Sequence, residues 1–307
     1  MSYGGLGNRV SAMSRSVARA ERILPPAARS LLFMQATLIL TGGAVRLTGS
    51  GLGCPTWPEC TPGSYFPLAS QVEGQLHSWI EFGNRLLTFV LIITALITLI
   101  AVLRSGRKDL RLLAIGQVLG ILGQGVLGGI TVLTNLNPLS VASHYLLSAI
   151  LVAAATSLYS RRHKPAVRKF SARQPDIFSR AHIALTALVL VLGTLVTGAG
   201  PHAGDIDAPR LQIQIQSATF MHGLAVVLLL ILTLAFYLAN GTSDLTRKRL
   251  IIFTLLALAQ GVIGFIQYIQ GVPELLVAVH LAGSILVWIG AWRIWLSVQR
   301  EEMVTVK

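Results

Sequence analysis

The stretch WIEFGNRLLTFVLIITALITLIAV, residues 79–102, decides the fold. From Leu86 to Val102 it holds no charged residue. Coiled as an α-helix, a segment of this length reaches about 36 Å. The hydrocarbon core of a bilayer is about 30 Å thick. No water is available there to satisfy the backbone, so a spanning segment must be helical. Seven further apolar blocks read the same way. The predicted spans are 30–49, 79–102, 112–133, 141–159, 181–200, 217–239, 250–270 and 275–296. The composition agrees, with 53% hydrophobic and only 12% charged residues in a chain of 307. A soluble domain carries about 25% charged residues. The fold class is therefore an all-α membrane protein with eight transmembrane helices.

The formal charge is +13, and its placement excludes nucleic acid as the reason. Basic residues crowd every second gap: the N-terminal arm, the gap at Arg104–Arg111, the segment 160–180 and the gap at Arg247–Arg249. The alternate gaps are poor in Lys and Arg. This is the positive-inside pattern of a cell-membrane protein. An even number of spans then puts both termini in the cytoplasm. The loop carrying Cys54 and Cys60 falls on the outer face. The long basic arm before a full-length first block does not read as a cleavable signal peptide.

The chain divides at its basic middle. The expected parts are a basic cytoplasmic arm 1–29, a four-helix bundle 30–159, a basic linker 160–180, a second four-helix bundle 181–296 and a tail 297–307. The bundles look like a parallel repeat. VASHYLLSAI (141–150) and VAVHLAGSIL (277–286) each set a histidine four residues before a serine. The offset from His144 to His280 equals that from Gln124 to Gln260. LTGGAV in span 1 is matched to LVTGAG in span 5. Aligning Phe82 with Phe220 sets Asn84 opposite His222. The two halves are therefore expected to be pseudo-symmetric.

Polar groups inside a membrane are costly and usually face a bundle interior or a cofactor. His222 and His280 come from two helices at one depth. Such a pair suits bis-imidazole ligation of a haem iron. The first half offers His144 with Asn84 in the matching places. His163 and His182 lie in or beside the basic segment and are expected to face solvent. His202, in the loop GPHAGD, is placed to shield a cofactor edge. Glu81 sits just inside an apolar span, on one helical face with His77, Asn84 and Thr88. Arg85 is placed either to pair Glu81 as an i,i+4 ion pair or to hold a haem propionate. Cys54 and Cys60 enclose PTWPE on the oxidising side, which allows a small-loop disulfide or two reduced thiols. Their spacing is not the redox C-x-x-C, and too few ligands lie near them for zinc.

TGGAVRLTGSGLGCPTWPEC (41–60), followed by WIEFGNRL (79–86) and by histidines early in spans 4, 6 and 8, resembles the haem A synthase family. The resemblance covers about residues 30–296. It implies an eight-span enzyme of two four-helix bundles that oxidises a methyl group of haem O to the formyl group of haem A. It implies a haem b cofactor between His222 and His280. It implies a substrate haem site in the first bundle, with Glu81 as the catalytic carboxylate and His144 on the substrate iron. It also implies that Cys54 and Cys60 can form a disulfide. The implied partners are the haem O substrate, a haem O synthase, an electron-transfer partner and the lipid bilayer. One position departs from the family pattern: Asn84 stands where histidine is common. Asparagine is not an ordinary haem ligand, and His77 is about 10 Å away along the helix. The substrate iron is then expected to be held by His144 alone, or with a water hydrogen-bonded to Asn84. A non-catalytic membrane cytochrome b and a parallel-repeat transporter are the competing classes.

Overall fold

The computed structural model describes residues 4–69, 71–163 and 173–299, and only the backbone over 4–14. Residues 164–172 of the basic linker and 300–307 of the tail lie outside the described residues. Eight α-helices dominate: α1 Gly4–Leu47, α2 Gln75–Arg104, α3 Arg111–Leu133, α4 Pro138–Arg161, α5 Arg173–Ala199, α6 Ile215–Leu238, α7 Asp244–Ile269 and α8 Glu274–Gln299. A 3-10 turn, Lys108–Leu110, leads into α3. All eight α-helices are long and apolar enough to cross a membrane. The chain is a multi-pass, all-α membrane bundle.

Local chemistry sets several helix ends. Asn137 caps α4 by accepting the Leu139 amide at 2.9 Å, with Pro138 in the first turn. Pro is tolerated there because its missing N–H would be unpaired anyway. Ser243 caps α7 by accepting the Thr246 amide at 3.3 Å. At the other end of the chain, α1 reaches back into the expected arm 1–29 and carries Pro25 and Pro26 inside it. Leu24 and Ala28 of this extension are buried in one cluster with residues of α2, α3 and α4. Tertiary burial there outweighs the two amide hydrogen bonds that proline removes.

The helices contact one another in two rings. In the first, α1 packs on α2 and α4, and α3 packs on α2 and α4. In the second, α5 packs on α6 and α8, and α7 packs on α6 and α8. The rings meet where α4 and α1 touch α8 and where α4 touches α5. The Trp288 indole donates to the Ala149 carbonyl at 2.7 Å, and the Trp292 indole to Ser157 Oγ at 2.7 Å. Tyr145 and Ser284 hydroxyls meet at 3.3 Å on the same seam.

Each ring packs an apolar core toward one end. The first core takes Leu31, Leu91, Ile121 and Leu151 as its upper members, and the second takes Val189, Ala225, Ala257 and Val287. Asn84, His144, His222 and His280 all lie on the far side of those residues, toward the 48–74 and 200–214 loops. His182 lies within the second core, which corrects its expected exposure. It is 1% exposed, and its ring centroid is 4.5 Å from Phe253 and 6.3 Å from Phe236. Because α5 starts at Arg173, His182 is already in the third turn, on the face that α6 and α7 cover. His163 is exposed as expected.

Candidate functional site

The loop between α1 and α2 is built around a bonded Cys54–Cys60 pair. Both cysteines are fully buried and pack against Phe82. Glu81, 5% exposed, faces this loop. Its Oε2 accepts the Cys54 amide at 2.7 Å. Its Oε1 accepts Arg85 Nη2 at 2.6 Å and Nε at 3.1 Å. Arg85 then spends its other donors on the loop itself. Nη2 also reaches the Cys54 carbonyl at 2.7 Å, while Nη1 reaches those of Thr56 at 3.0 Å and Glu59 at 3.1 Å. A guanidinium has five N–H donors, and all five are accounted for. Of the two roles expected for Arg85, the structure therefore shows the pairing with Glu81. It does not place the guanidinium to hold a propionate, because no donor is left over.

The clamp has a physical logic. Burying a carboxylate and a guanidinium is costly unless every lone pair and proton finds a partner. Here the i,i+4 spacing puts both groups on one face of α2, and the loop carbonyls complete the set. The loop's Trp57 lies over α3, where a methyl group in place of the Gly129 hydrogen would come within 2.6 Å of the indole. His77 Nδ1 pairs with Ser50 Oγ at 2.9 Å, at the base of the same loop. His77 thus serves the loop and does not share a partner with Asn84.

Below the loop, Asn84 Oδ1 accepts the Thr41 hydroxyl of α1 at 2.7 Å. Its Nδ2 faces Gly42, 3.9 Å from the point a Cβ would occupy. Across the ring, the His144 imidazole stands over Gly128, its Cε1 3.5 Å from such a point. His144 Nδ1 is buried without a hydrogen-bond partner. Gln124 Nε2 donates to Ser148 Oγ at 2.6 Å and to the His144 carbonyl at 3.1 Å. It secures the turn of α4 that carries His144.

The second ring brings two imidazoles together edge to face. The His222 and His280 ring centroids are 6.5 Å apart and the planes cross at 69°. Metal–imidazole bonds are about 2 Å long and the ring centre lies roughly 1 Å beyond, so one metal between two rings sets their centroids about 6 Å apart. The observed spacing fits such a bridge. His222 Nδ1 donates to the Val189 carbonyl at 3.1 Å, which leaves Nε2 free to meet another group. Glycines make the room: a Cβ on Gly193 would lie 3.4 Å from His222 Cε1, and one on Gly264 3.2 Å from His280 Cε1. Among the described residues, no group of three His, Cys, Asp or Glu is set to hold a bare metal ion. A macrocycle that brings its own four nitrogens would need only two axial ligands, the number of imidazoles that meet in this ring.

At the top of the seam, His202 Nε2 pairs with the Val272 carbonyl at 2.7 Å, and its Nδ1 is 3.9 Å from Glu274. It ties two loops of the second ring together. The sequence reading missed Arg46, whose Nη2 donates to the His202 carbonyl. An arginine in the last turn of a membrane helix is an ordinary interfacial anchor by pattern. Nothing local distinguished it.

Residues 28–203, more than half of the chain, match the family model described as COX15-CtaA, cytochrome oxidase assembly protein. A "Heme A synthase" of Shewanella oneidensis is 27% identical over 210 residues, 64% of this chain and 62% of the relative. One from Bacillus pumilus is 34% identical over 145 residues, 42% of this chain and 45% of the relative. One from Geobacillus thermodenitrificans is 31% identical over 103 residues, 33% of this chain and 30% of the relative. The chain thus spans less than two thirds of the length of each. The family match runs from α1 to the loop after α5 and includes the clamped cysteine loop, Asn84 and His144. By that match, the chain belongs to the COX15-CtaA family of cytochrome oxidase assembly proteins.

Proposed function

We propose that this protein is a haem A synthase, oxidising a methyl group of haem O to a formyl group through hydroxylated intermediates. The observation that carries the reading is the His222–His280 pair, with ring centroids 6.5 Å apart beyond the end of the packed core. The name borne by the matched relatives supplies the reaction.

The two rings are read as copies of one four-helix unit, in chain segments 30–159 and 181–296. Gln124, Gly128, His144 and Ser148 recur at one common offset as Gln260, Gly264, His280 and Ser284. In both copies the glycine stands beneath the imidazole. The glycine facing Asn84 is Gly42 and the glycine facing His222 is Gly193. Pairing Gly42 with Gly193 would align span 1 with span 5 four residues earlier than the LTGGAV/LVTGAG match does. The basic gaps orient the molecule with both termini in the cytoplasm and the cysteine loop outside.

In the second copy, His222 and His280 would hold a resident haem b, which supplies a one-electron redox iron when bound. The Val189 carbonyl fixes the His222 tautomer and ring plane. In the first copy, His144 would take the iron of the substrate haem O. Asn84 directs its oxygen to Thr41, so its amide protons remain to hydrogen-bond a water at the opposite face. A single strong axial ligand suits a site that must admit and release its haem. Glu81 would accept a proton or stabilise positive charge as the methyl carbon is oxidised. The Trp57 loop covers this end of the ring and keeps bulk water from it. Haem O would arrive from a membrane-bound synthase, and electrons would leave to a redox partner.

The test is to express the chain in membranes that contain a haem O source and to extract the haems. Newly formed haem A is expected. Unchanged haem O with haem b bound to the protein would make it an electron-carrying cytochrome instead. No bound haem at all would end the reading.

A further inference from the structure

Arg85 has no donor left for an anion, but two other arginines have. Arg46 is in the last turn of α1, and Arg210 is in the loop between α5 and α6. Their guanidinium groups converge on consecutive carbonyls. Arg46 Nη2 donates to that of His202, and Arg210 Nη2 to that of Pro201 at 2.7 Å. Arg210 Nη1 also reaches the Ala208 carbonyl at 2.6 Å. Arg210 is close enough for its charge to act on Arg46. Neither has a carboxylate within ion-pair distance among the described residues. Arg46 Nε is moreover buried and has no hydrogen-bond partner. With five donors per guanidinium, Arg46 keeps four and Arg210 three. Two guanidinium groups on consecutive carbonyls, both with donors to spare, make a place an oxyanion could occupy.

Position says which oxyanion. Arg46 is one turn beyond Gly42, on the same face of α1, and Gly42 faces Asn84. That turn is roughly 6 Å toward the end of the helix. A porphyrin between Asn84 and His144 must turn its charged edge away from the bilayer centre. That edge carries its two propionates and points to the end of α1.

We propose that Arg46 and Arg210 form the seat for a propionate of the haem taken up between Asn84 and His144. The seat is shared between the rings: α1 of the first supplies Arg46, and the α5–α6 loop of the second supplies Arg210. The α5–α6 loop therefore contributes to the binding of the substrate. The inference rests on the haem reading above and adds the recognition of the carboxylate. A phospholipid phosphate is the other oxyanion at this depth, and the test separates the two.

The full-length protein, with haem b in its second ring, is placed in nanodiscs of zwitterionic lipid. It is titrated with ferric haem b as a stand-in for the substrate, and separately with its dimethyl ester. Binding is read from the Soret change that a His144→Ala variant abolishes. The unaltered protein should bind the free acid more tightly than the ester. Arg46→Gln, Arg210→Gln and the double variant should weaken the free acid by about tenfold to a hundredfold and leave the ester unchanged. Arg46→Lys should recover part of the loss. The haem b spectrum of the second ring should stay constant in every variant, which reports that the fold is intact. The Arg210 variant carries the test if Arg46→Gln loses that spectrum. Equal binding of acid and ester by the unaltered protein would overturn the proposal while leaving the haem reading in place. So would arginine variants that bind the free acid normally, or variants whose only change is less anionic lipid retained on purification. Absence of any His144-dependent signal would overturn both.

Discussion

The first four helices and the last four carry the same kind of imidazole on the same kind of helix, but they surround it differently. His280 stands over Gly264 with His222 facing it at 6.5 Å between centroids. His144 stands over Gly128, and the matching place on α2 holds Asn84, tied to Thr41. Above His144 lies a disulfide-closed loop clamped by Glu81 and Arg85. The second ring has no such clamp among the described residues. A pair of imidazoles closes a metal's coordination, whereas an imidazole with an amide leaves one position open. The two rings thus differ in the group that faces the imidazole of their last helix, and the proposed division between a resident and an exchanged haem rests on that difference.

The largest test of this contrast removes ligands. His222→Ala or His280→Ala should lower haem b affinity by more than about a hundredfold, read from the absorption spectrum of the purified protein. His144→Ala should leave haem b in place. Loss of haem b from all three variants alike would erase the distinction between the halves.

The clamp offers a second, two-sided test. Arg85→Gln leaves Glu81 buried without its cation, and should cost about 3–5 kcal/mol of stability. Glu81→Gln leaves Arg85 on its three loop carbonyls and should melt closer to the unaltered protein. If Glu81 also does chemistry, Glu81→Gln should lower haem A yield by about 10²- to 10⁴-fold. Thermal melts and haem extraction would then rank the two variants in opposite order. The same rank in both would make Glu81 an anchor for the loop and nothing more.

Asn84→His would restore the symmetry that the chain has broken. A second bis-imidazole spectrum should appear when haem is added, and product release should slow by roughly tenfold. An unaltered spectrum would mean that residue 84 does not face the iron. The smallest effect separates two glycines. Gly264→Ala brings a methyl group to 3.2 Å from the His280 ring and should lower haem b affinity by about tenfold. Gly128→Ala finds 3.5 Å, an ordinary contact, and should change substrate-haem binding by about twofold or less.

Much of the fold was legible along the chain because a bilayer imposes a one-dimensional rule. Length and apolar content alone marked the eight spans, and every one corresponds to a helix. The residues brought together at the sites were legible where periodicity carried them, as with His144 and His280 on their matched helices. The failures are informative. His182 sits beside charged residues in sequence but inside a packed core in space. The arm before residue 30 is polar and basic, yet α1 runs through it, and its Leu24 and Ala28 join a buried cluster with residues of three other helices.

The sequence by itself determined that this is an eight-span helical membrane protein, that the segments around His144 and His280 resemble each other, and that Asn84 stands where the second half has His222. Those properties follow from hydropathy, spacing and residue identity, which are local. Only the tertiary structure decided how the arginines divide their work. Arg85 and Arg46 are both basic residues at helix ends near the same loop. Whether a guanidinium has donors to spare depends on which backbone carbonyls fold against it, and those come from loops distant in the chain. Arg85 makes five hydrogen bonds to four acceptors, while Arg46 makes one and keeps a buried N–H unpaired.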